Sequence, residues 1–358
     1  MKTIFCEIHL PHIRHNFRLL QQRAGHTRIV GVVKADAYGH GDVPVALCLQ
    51  SEGCTHFAVA RVHEGIKLRK AGIHGDILIM SGSFPNEFAA LREFNLTTVV
   101  YCEENIEEMV REGISVPVHI KIDTGMNRLG FRPDRLPWVY RTLTEAGFAV
   151  RGIMTHMACA DEPGSPTIGA QENLFYRSLE PYFQEGMLGH LSNSAGIFTL
   201  DNLGSLARPG IMLYGGNPFA DKTVDLRPAM TFKTKILQVK RVFPGEGISY
   251  GHSFVADREM LVATVAAGYA DGYSRLLSNK ARVLVNGQYA PQVGRVCMDM
   301  SMVDVTHIQP ARGDEVVLFG EQRGQCIYAS ELAELMGTID YEVFCGISPR
   351  VKRIYTGA

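Results

Sequence analysis

The chain has no hydrophobic run approaching the roughly 20 residues of a membrane-spanning helix, so no membrane partner is expected. An excess of either charge is missing too: 36 basic against 37 acidic side chains leave a net charge of -1. That balance removes the electrostatic case for nucleic acid or an anionic bilayer as partner. No secretory signal is expected, because Glu7 and His9 interrupt the apolar stretch of MKTIFCEIHL too early. The eight cysteines show no CxxC and no metal-like spacing. They read as reduced thiols of a cytoplasmic protein, with no metal site. Internal repeats and low-complexity tracts are absent as well. What is present is 358 residues with 46% hydrophobic side chains, enough for one barrel plus a smaller domain.

Up to about residue 215, short apolar runs alternate with amphipathic stretches. The runs cover residues 29–33, 57–60, 77–80, 98–101, 118–122, 150–155, 188–191 and 206–213. Several are rich in β-branched residues, and Gly, Pro or charged residues bound them, so they read as buried strands. Residues 62–71, closed by Gly72, and residues 103–112, with acids in the first turn and Gly113 at the end, read as helices. Strand–helix alternation predicts a parallel sheet, and eight strands predict a closed (β/α)8 barrel over residues 1–225. From Pro228 onward the pattern is strand and turn, at 231–242, 261–266, 282–285, 302–305 and 315–319, with one helix near 330–336. A mainly β domain is expected over 226–358, with the polar segment 217–227 as linker. The first few residues of the chain can pack on this β domain.

A barrel of this kind carries its function at the carboxyl ends of its strands. The first strand runs into Lys34, within VVKADAYGHG. A lysine there is desolvated and suited to a Schiff base, or it lies with its stem along the barrel rim. The fifth strand ends in KIDTGMNRLG. Lys121 and Asp123 point to one side of the strand and read as an ordinary ion pair, while Arg128 on a glycine-flanked loop is placed to hold a carboxylate. His156 follows the sixth strand, where a structural role is the usual one. Asn193 and Ser194 follow the seventh, either as phosphate ligands or as a helix cap. The eighth carries Arg208, Gly210 and Ile211, with Gly210 allowing close approach of a ligand. Lysine, arginines, histidine and serine at one barrel end suggest pyridoxal phosphate.

These segments resemble the bacterial alanine racemases over nearly the whole chain. The resemblance rests on VVKADAYGHG at 32–41, KIDTGMNRLGF at 121–131, TH at 155–156, NSAG at 193–196 and RPGIMLYG at 208–215. It extends through ISYGHSF at 248–254, GYADGY at 268–273 and GRVCMDM at 294–300. It implies a pyridoxal 5'-phosphate enzyme that interconverts L- and D-alanine, as a homodimer with shared active sites. Lys34 would hold the cofactor and act as one acid/base group, and Tyr250 from the second subunit would be the other. Tyr38, Asn193, Ser194 and the backbone at Gly210 and Ile211 would bind the cofactor phosphate region, and Arg208 would face its pyridine nitrogen. His156 would link Arg208 to Tyr250. Arg128 and the Met298 backbone would hold the substrate carboxylate, with Lys121 carrying a carbamate that orients Arg128. Asp161, Tyr269, Arg275, Arg295 and Ile347 would line the entrance. One position departs from the family: Pro349 stands where a tyrosine often closes the site, so a broader or serine-directed racemase stays open. Barrel-fold amino acid decarboxylases and non-catalytic cofactor-binding barrels are the remaining alternatives.

Overall fold

Short buried runs must pair their backbone N–H and C=O groups with neighbours, and here eight of them pair with one another in a ring. The computed structural model describes residues 3–183, 186–220 and 224–357. The barrel strands are Arg28–Val32, His56–Val59, Asp76–Ile79, Thr97–Val100, Val118–Lys121, Val150–Met154, Leu188–His190 and Leu206–Ala207. Neighbours from the first to the seventh are parallel, and the eighth lies parallel to the first. Between the seventh and eighth there is no continuous ladder. Single hydrogen bonds span that seam, from Ser205 N–H to Gly189 O at 2.7 Å and from Arg208 N–H to Ser192 O at 3.0 Å. The barrel is therefore nearly closed. His56–Val59 and Val118–Lys121 are buried throughout, as expected of strands with helices on one face and a packed interior on the other.

By contact, Ile13–Ala37 and Gly41–Leu226 form the barrel unit, while residues 3–12, Tyr38–His40 and 227–357 form the second. Of the expected linker, residues 221–223 lie outside the described residues. Among the described residues no helix is long and apolar enough to cross a membrane.

The eighth strand departs most from its expected length, since apolar residues 206–213 yield only Leu206–Ala207. Pro209 has no N–H for a ladder. The N–H groups of Gly210 and Met212 donate to Ser194 Oγ instead, at 2.9 and 3.4 Å. The chain then turns into a short 3-10 helix, Ile211–Tyr214.

After the first strand the backbone does something no apolar pattern announces. Ala35, Asp36, Ala37 and Tyr38 all take left-handed helical φ values of 53–54°. Each such residue costs roughly 1–2 kcal/mol, so the turn must be held from outside. Glu64, in the helix Val62–Lys70, holds part of it. Its Oε1 accepts from Ala35 N–H at 2.7 Å, and its Oε2 accepts from Ala60 N–H and Arg61 N–H, both at 2.8 Å. Lys67, one turn along, reaches Asp42 at 2.6 Å and Asp36 at 3.5 Å.

The second unit is built on the long strand Met230–Val242. It pairs antiparallel with Phe5–His9, with Glu315–Gln322 and with Met260–Val265. Phe5–His9 in turn pairs parallel with Lys352–Thr356, so both ends of the chain lie side by side in one sheet. Tyr38–His40 belong with this unit because Gly39 O accepts from Arg353 Nε at 2.9 Å. Gly39 has φ +78°, and a Cβ there would come within 2.5 Å of Phe344 O.

Loss of the Glu64 carboxylate is expected to loosen the left-handed turn. Glu64→Ala should lower the unfolding free energy by about 2 kcal/mol or more, because charged acceptors of backbone N–H groups contribute ~1.5–3 kcal/mol. Glu64→Gln keeps one oxygen acceptor and should lose less. Urea unfolding of the three proteins checks this order, and an unchanged midpoint for Glu64→Ala would show that other contacts hold the turn.

Candidate active site

Parallel strands place all their carboxyl ends together, so the polar residues that follow them share one end of the barrel. Lys34 follows the first strand and is half-buried. Lys121 ends the fifth and is buried. His156 follows the sixth, Asn193 and Ser194 the seventh, and Arg208 the eighth.

Arg208 lies at the centre of this group and is only 4% exposed. Its Nη1 donates to His190 Nδ1 at 2.7 Å. Its Nη2 donates to Thr155 O at 2.8 Å and to Leu191 O and His156 Nδ1, both at 3.3 Å. No carboxylate pairs with it among the described residues, and burial pulls its pKa down to about 10. It remains a cation at neutral pH, surrounded by neutral acceptors. A buried charge left without a counter-charge is costly and marks a place where an anion or a polar ligand is expected. His156 and His190 answer to it: burial and the Arg208 charge hold both well below the usual histidine range.

Lys121 is not ion-paired with Asp123. The Asp123 carboxylate accepts instead from the N–H groups of Gly125, Met126 and Asn127, at 2.9–3.1 Å. It thereby shapes the loop that carries the exposed Arg128. Burial and the cationic Arg208, Arg128 and Lys34 bring Lys121 down to about 8, against a raising contribution from Asp123.

Ser194 Oγ collects the N–H groups of Gly210 and Met212, as described above. Asn193 Oδ1 accepts from Gly196 N–H at 2.9 Å, so the capping interaction falls to Asn193 and the bridging one to Ser194. The Ile211 N–H donates to no group among the described residues. Asp161 is exposed on a turn of the same unit.

The remaining expected residues lie in the second unit. Tyr38 is buried against Tyr341, and burial followed by Tyr341 and Cys345 pushes its phenol up, so it stays a donor. Tyr250 opens the 3-10 turn Tyr250–His252, is 72% exposed, and shares an open cavity of about 950 Å³ with Met298. Ser249 Oγ donates to Arg295 O at 2.7 Å and steadies that turn. Gly268 lets the Tyr269 segment approach the Met298 segment, since a Cβ there would lie 2.3 Å from Cys297 O and Met298 O. Tyr269 and Arg275 are exposed and Arg295 is half-buried. Ile347, by contrast, is 4% exposed and packs as a core residue of this unit. Pro349 is exposed; beside it, Arg350 donates to Asp271 and Asp299, each at 2.7 Å.

Sequence reasoning missed His119, His190, Gln171 and Glu64. A signal existed for the first two: polar residues inside the buried runs VHIK and LGH. Gln171 sits in a helix and ties two loops together, donating to His156 O at 3.1 Å and to Thr124 Oγ1 at 3.3 Å and accepting from Ala158 N–H at 2.9 Å.

Comparison with known proteins covers the same ground. The family described as "Alanine racemase, N-terminal domain" matches residues 8–218, and "Alanine racemase, C-terminal domain" matches residues 229–355. Alanine racemase of Halothermothrix orenii is 42% identical, with 99% of this chain and 97% of the relative covered. That of Syntrophobacter fumaroxidans is 43% identical, with 100% and 99% covered. Among solved structures, alanine racemase of Clostridium difficile superposes with a TM-score of 0.92 at 37% identity, covering 99% of this chain and 96% of the other. The Streptomyces coelicolor enzyme gives 0.94 at 33% identity, covering 99% and 98%.

Neutral buried histidines make the barrel acid-sensitive. Burial, then Arg208, depresses His119 to about 3 from an ordinary 6.5. Between those values the unfolded chain binds a proton that the folded chain refuses. Stability is therefore lost as pH falls through that window, by about 1.4 kcal/mol per pH unit for each such group. His156 and His190 act in the same direction. Urea midpoints should drop as pH is lowered below about 6.5, and the drop should be shallower in His119→Gln. Equal slopes in the two proteins would contradict this assignment.

Proposed function

The chain belongs to the alanine racemase family, and on that premise we propose that it interconverts L-alanine and D-alanine with pyridoxal 5'-phosphate. It does so as a cytoplasmic homodimer whose active sites draw on both subunits, supplying or consuming D-alanine. The observation that carries this reading is the buried Arg208 guanidinium at the active end of the barrel, which meets no carboxylate among the described residues.

The donor set fits the cofactor. The Ser194 hydroxyl and the Ile211 N–H, which donates to no group among the described residues, suit a phosphate, and the Gly210 N–H, held here by Ser194 Oγ, lies beside them. Tyr38 adds a phenol donor, and Asn193 fixes the loop that carries Ser194. Arg208 would face the pyridine nitrogen and would accept no proton there, because a guanidinium only donates. Lys34 would hold the cofactor. When bound, pyridoxal phosphate acts as an electron sink that makes the α-proton of an attached amino acid removable.

The chain's own groups then supply the proton transfers. Racemisation needs a proton taken from one face of the alanine Cα and another delivered to the opposite face. Lys34 Nζ serves D-alanine, and the partner subunit's Tyr250 serves L-alanine through its hydroxyl. His156 donates to that hydroxyl oxygen. Arg128 and the Met298 N–H hold the substrate carboxylate. Lys121, with an amine partly neutral near pH 8, would add to carbon dioxide and release one N–H proton to solvent, leaving a carbamate whose negative charge would orient Arg128. Asp161, Tyr269, Arg275, Arg295 and Ile347 border or support the entrance.

A second reading is favoured by Pro349. Without a hydroxyl or an N–H at that position, the pocket loses a closing contact and admits a larger side chain such as that of serine.

Chiral chromatography of reactions started from each alanine enantiomer tests the function, with L-serine run in parallel. Racemic alanine is the expected product. Recovery of unchanged enantiomer by cofactor-loaded protein would end the proposal, and serine turning over faster than alanine would favour the second reading. Lys34→Ala and Tyr250→Phe should each lose about 10²–10⁴-fold in rate, the usual contribution of a positioned acid or base. Mixing the two inactive proteins should restore activity through hybrid dimers. No recovery despite demonstrated subunit exchange would exclude shared sites.

A further inference from the structure

Two of the buried histidines that the proton transfers leave unused form a chain with Arg208. His190 ends the seventh barrel strand and His119 lies within the fifth. Their rings meet edge to face inside the barrel, with His190 Nε2 2.7 Å from His119 Nδ1. On its other side, His190 Nδ1 lies 2.7 Å from Arg208 Nη1. The guanidinium has donors only, so His190 Nδ1 must accept. The His190 proton then sits on Nε2 and is donated to His119 Nδ1. The His119 proton, by the same logic, sits on Nε2.

The chain of bonds thus has one direction, away from Arg208. It ends at a cavity of about 400 Å³ at the amino-terminal mouth of the barrel, bordered by His119, Arg28, His56, Asp76 and Arg151. Gly152 makes room for it, since a Cβ there would come within 2.8 Å of His119 Nδ1.

A charged His190 would set two N–H donors against each other at 2.7 Å. The groups that act on the pair are Arg208, Lys121, Arg151 and His56, all basic; the Asp76 carboxylate borders the same cavity and pairs with His56 at 3.5 Å. We infer that His190 and His119 are positioning residues: a neutral, one-directional pair that aims the Arg208 guanidinium at the active end of the barrel. The pair does not conduct protons across the barrel, because the arginine at its head accepts none. The inference rests on the reading of Arg208 as the cation facing the cofactor.

Nitrogen NMR of the cofactor-loaded protein, labelled in its histidine imidazoles, tests it. Signals of His119 and His190 are identified by their loss in His119→Gln and His190→Gln. Both should show the neutral Nε2–H tautomer, unchanged from about pH 5.5 to 8.5, where an ordinary histidine titrates. Kinetics supply the second arm. His190→Leu removes the acceptor for Nη1 and should lower kcat by up to about 100-fold with KM little changed, as expected of a misaimed catalytic group. His190→Gln restores an acceptor oxygen and should recover most of that loss. An Nδ1–H tautomer at either histidine, titration in the ordinary range, or equal losses in the Leu and Gln variants would overturn the inference. The tautomers are read without turnover. Expected spectra from a protein that fails to racemise alanine would therefore count against the proposed function and support the histidine pair.

Discussion

A guanidinium buried in the middle of a barrel can only give hydrogen bonds, and much of the active end is arranged to receive them. Arg208 has the carbonyls of Thr155 and Leu191 on two sides and the δ-nitrogens of His156 and His190 on two others. Those acceptors come from the sixth and seventh strands, so the parallel register of the barrel decides where the charge sits. None of them is an anion. The arrangement keeps the arginine fixed and charged, yet leaves its charge available to a ligand, in contrast to a structural ion pair, where a carboxylate neutralises it.

The same constraint spreads to neighbours that never touch a substrate. Burial, and after it the surrounding cations, bring Lys121 down to about 8. The histidines stay uncharged for the same two reasons. Around this centre the backbone is used unusually freely. The strand that delivers Lys34 runs at once into four left-handed residues, and a single carboxylate from the helix Val62–Lys70 secures the turn and the end of the second strand together. Strain of that kind persists where surrounding structure over-determines it, and it gathers at functional sites.

Much of this was legible in the amino-acid sequence, for a physical reason. Parallel barrel strands are buried on both faces, so their apolar runs stand out, and the residues that follow each run fall at one end by topology alone. The eighth run misled because Ile211–Tyr214 is apolar enough to be strand, whereas Pro209 and Ser194 divert its N–H groups. Lys352–Thr356 escaped notice, and the first few residues were expected to pack on the β domain but not as a strand, because the partners of both lie far away in the chain and their patterns are mixed. Ala35–Tyr38 look like ordinary helix formers, and nothing local announces a left-handed turn. His119 and His190 were overlooked as interruptions of strands. The bond between them depends on residues 71 positions apart meeting inside the ring, and His190 alone goes on to meet Arg208.

The central claim is that this barrel end holds pyridoxal phosphate on Lys34 under the control of Arg208. Reduction of the cofactor-loaded protein with borohydride, followed by peptide mapping, addresses it most directly. The account predicts the label on the peptide containing Lys34 alone, with little label in Lys34→Ala. Label on Lys121 or any other lysine, or equal labelling of Lys34→Ala, would contradict it.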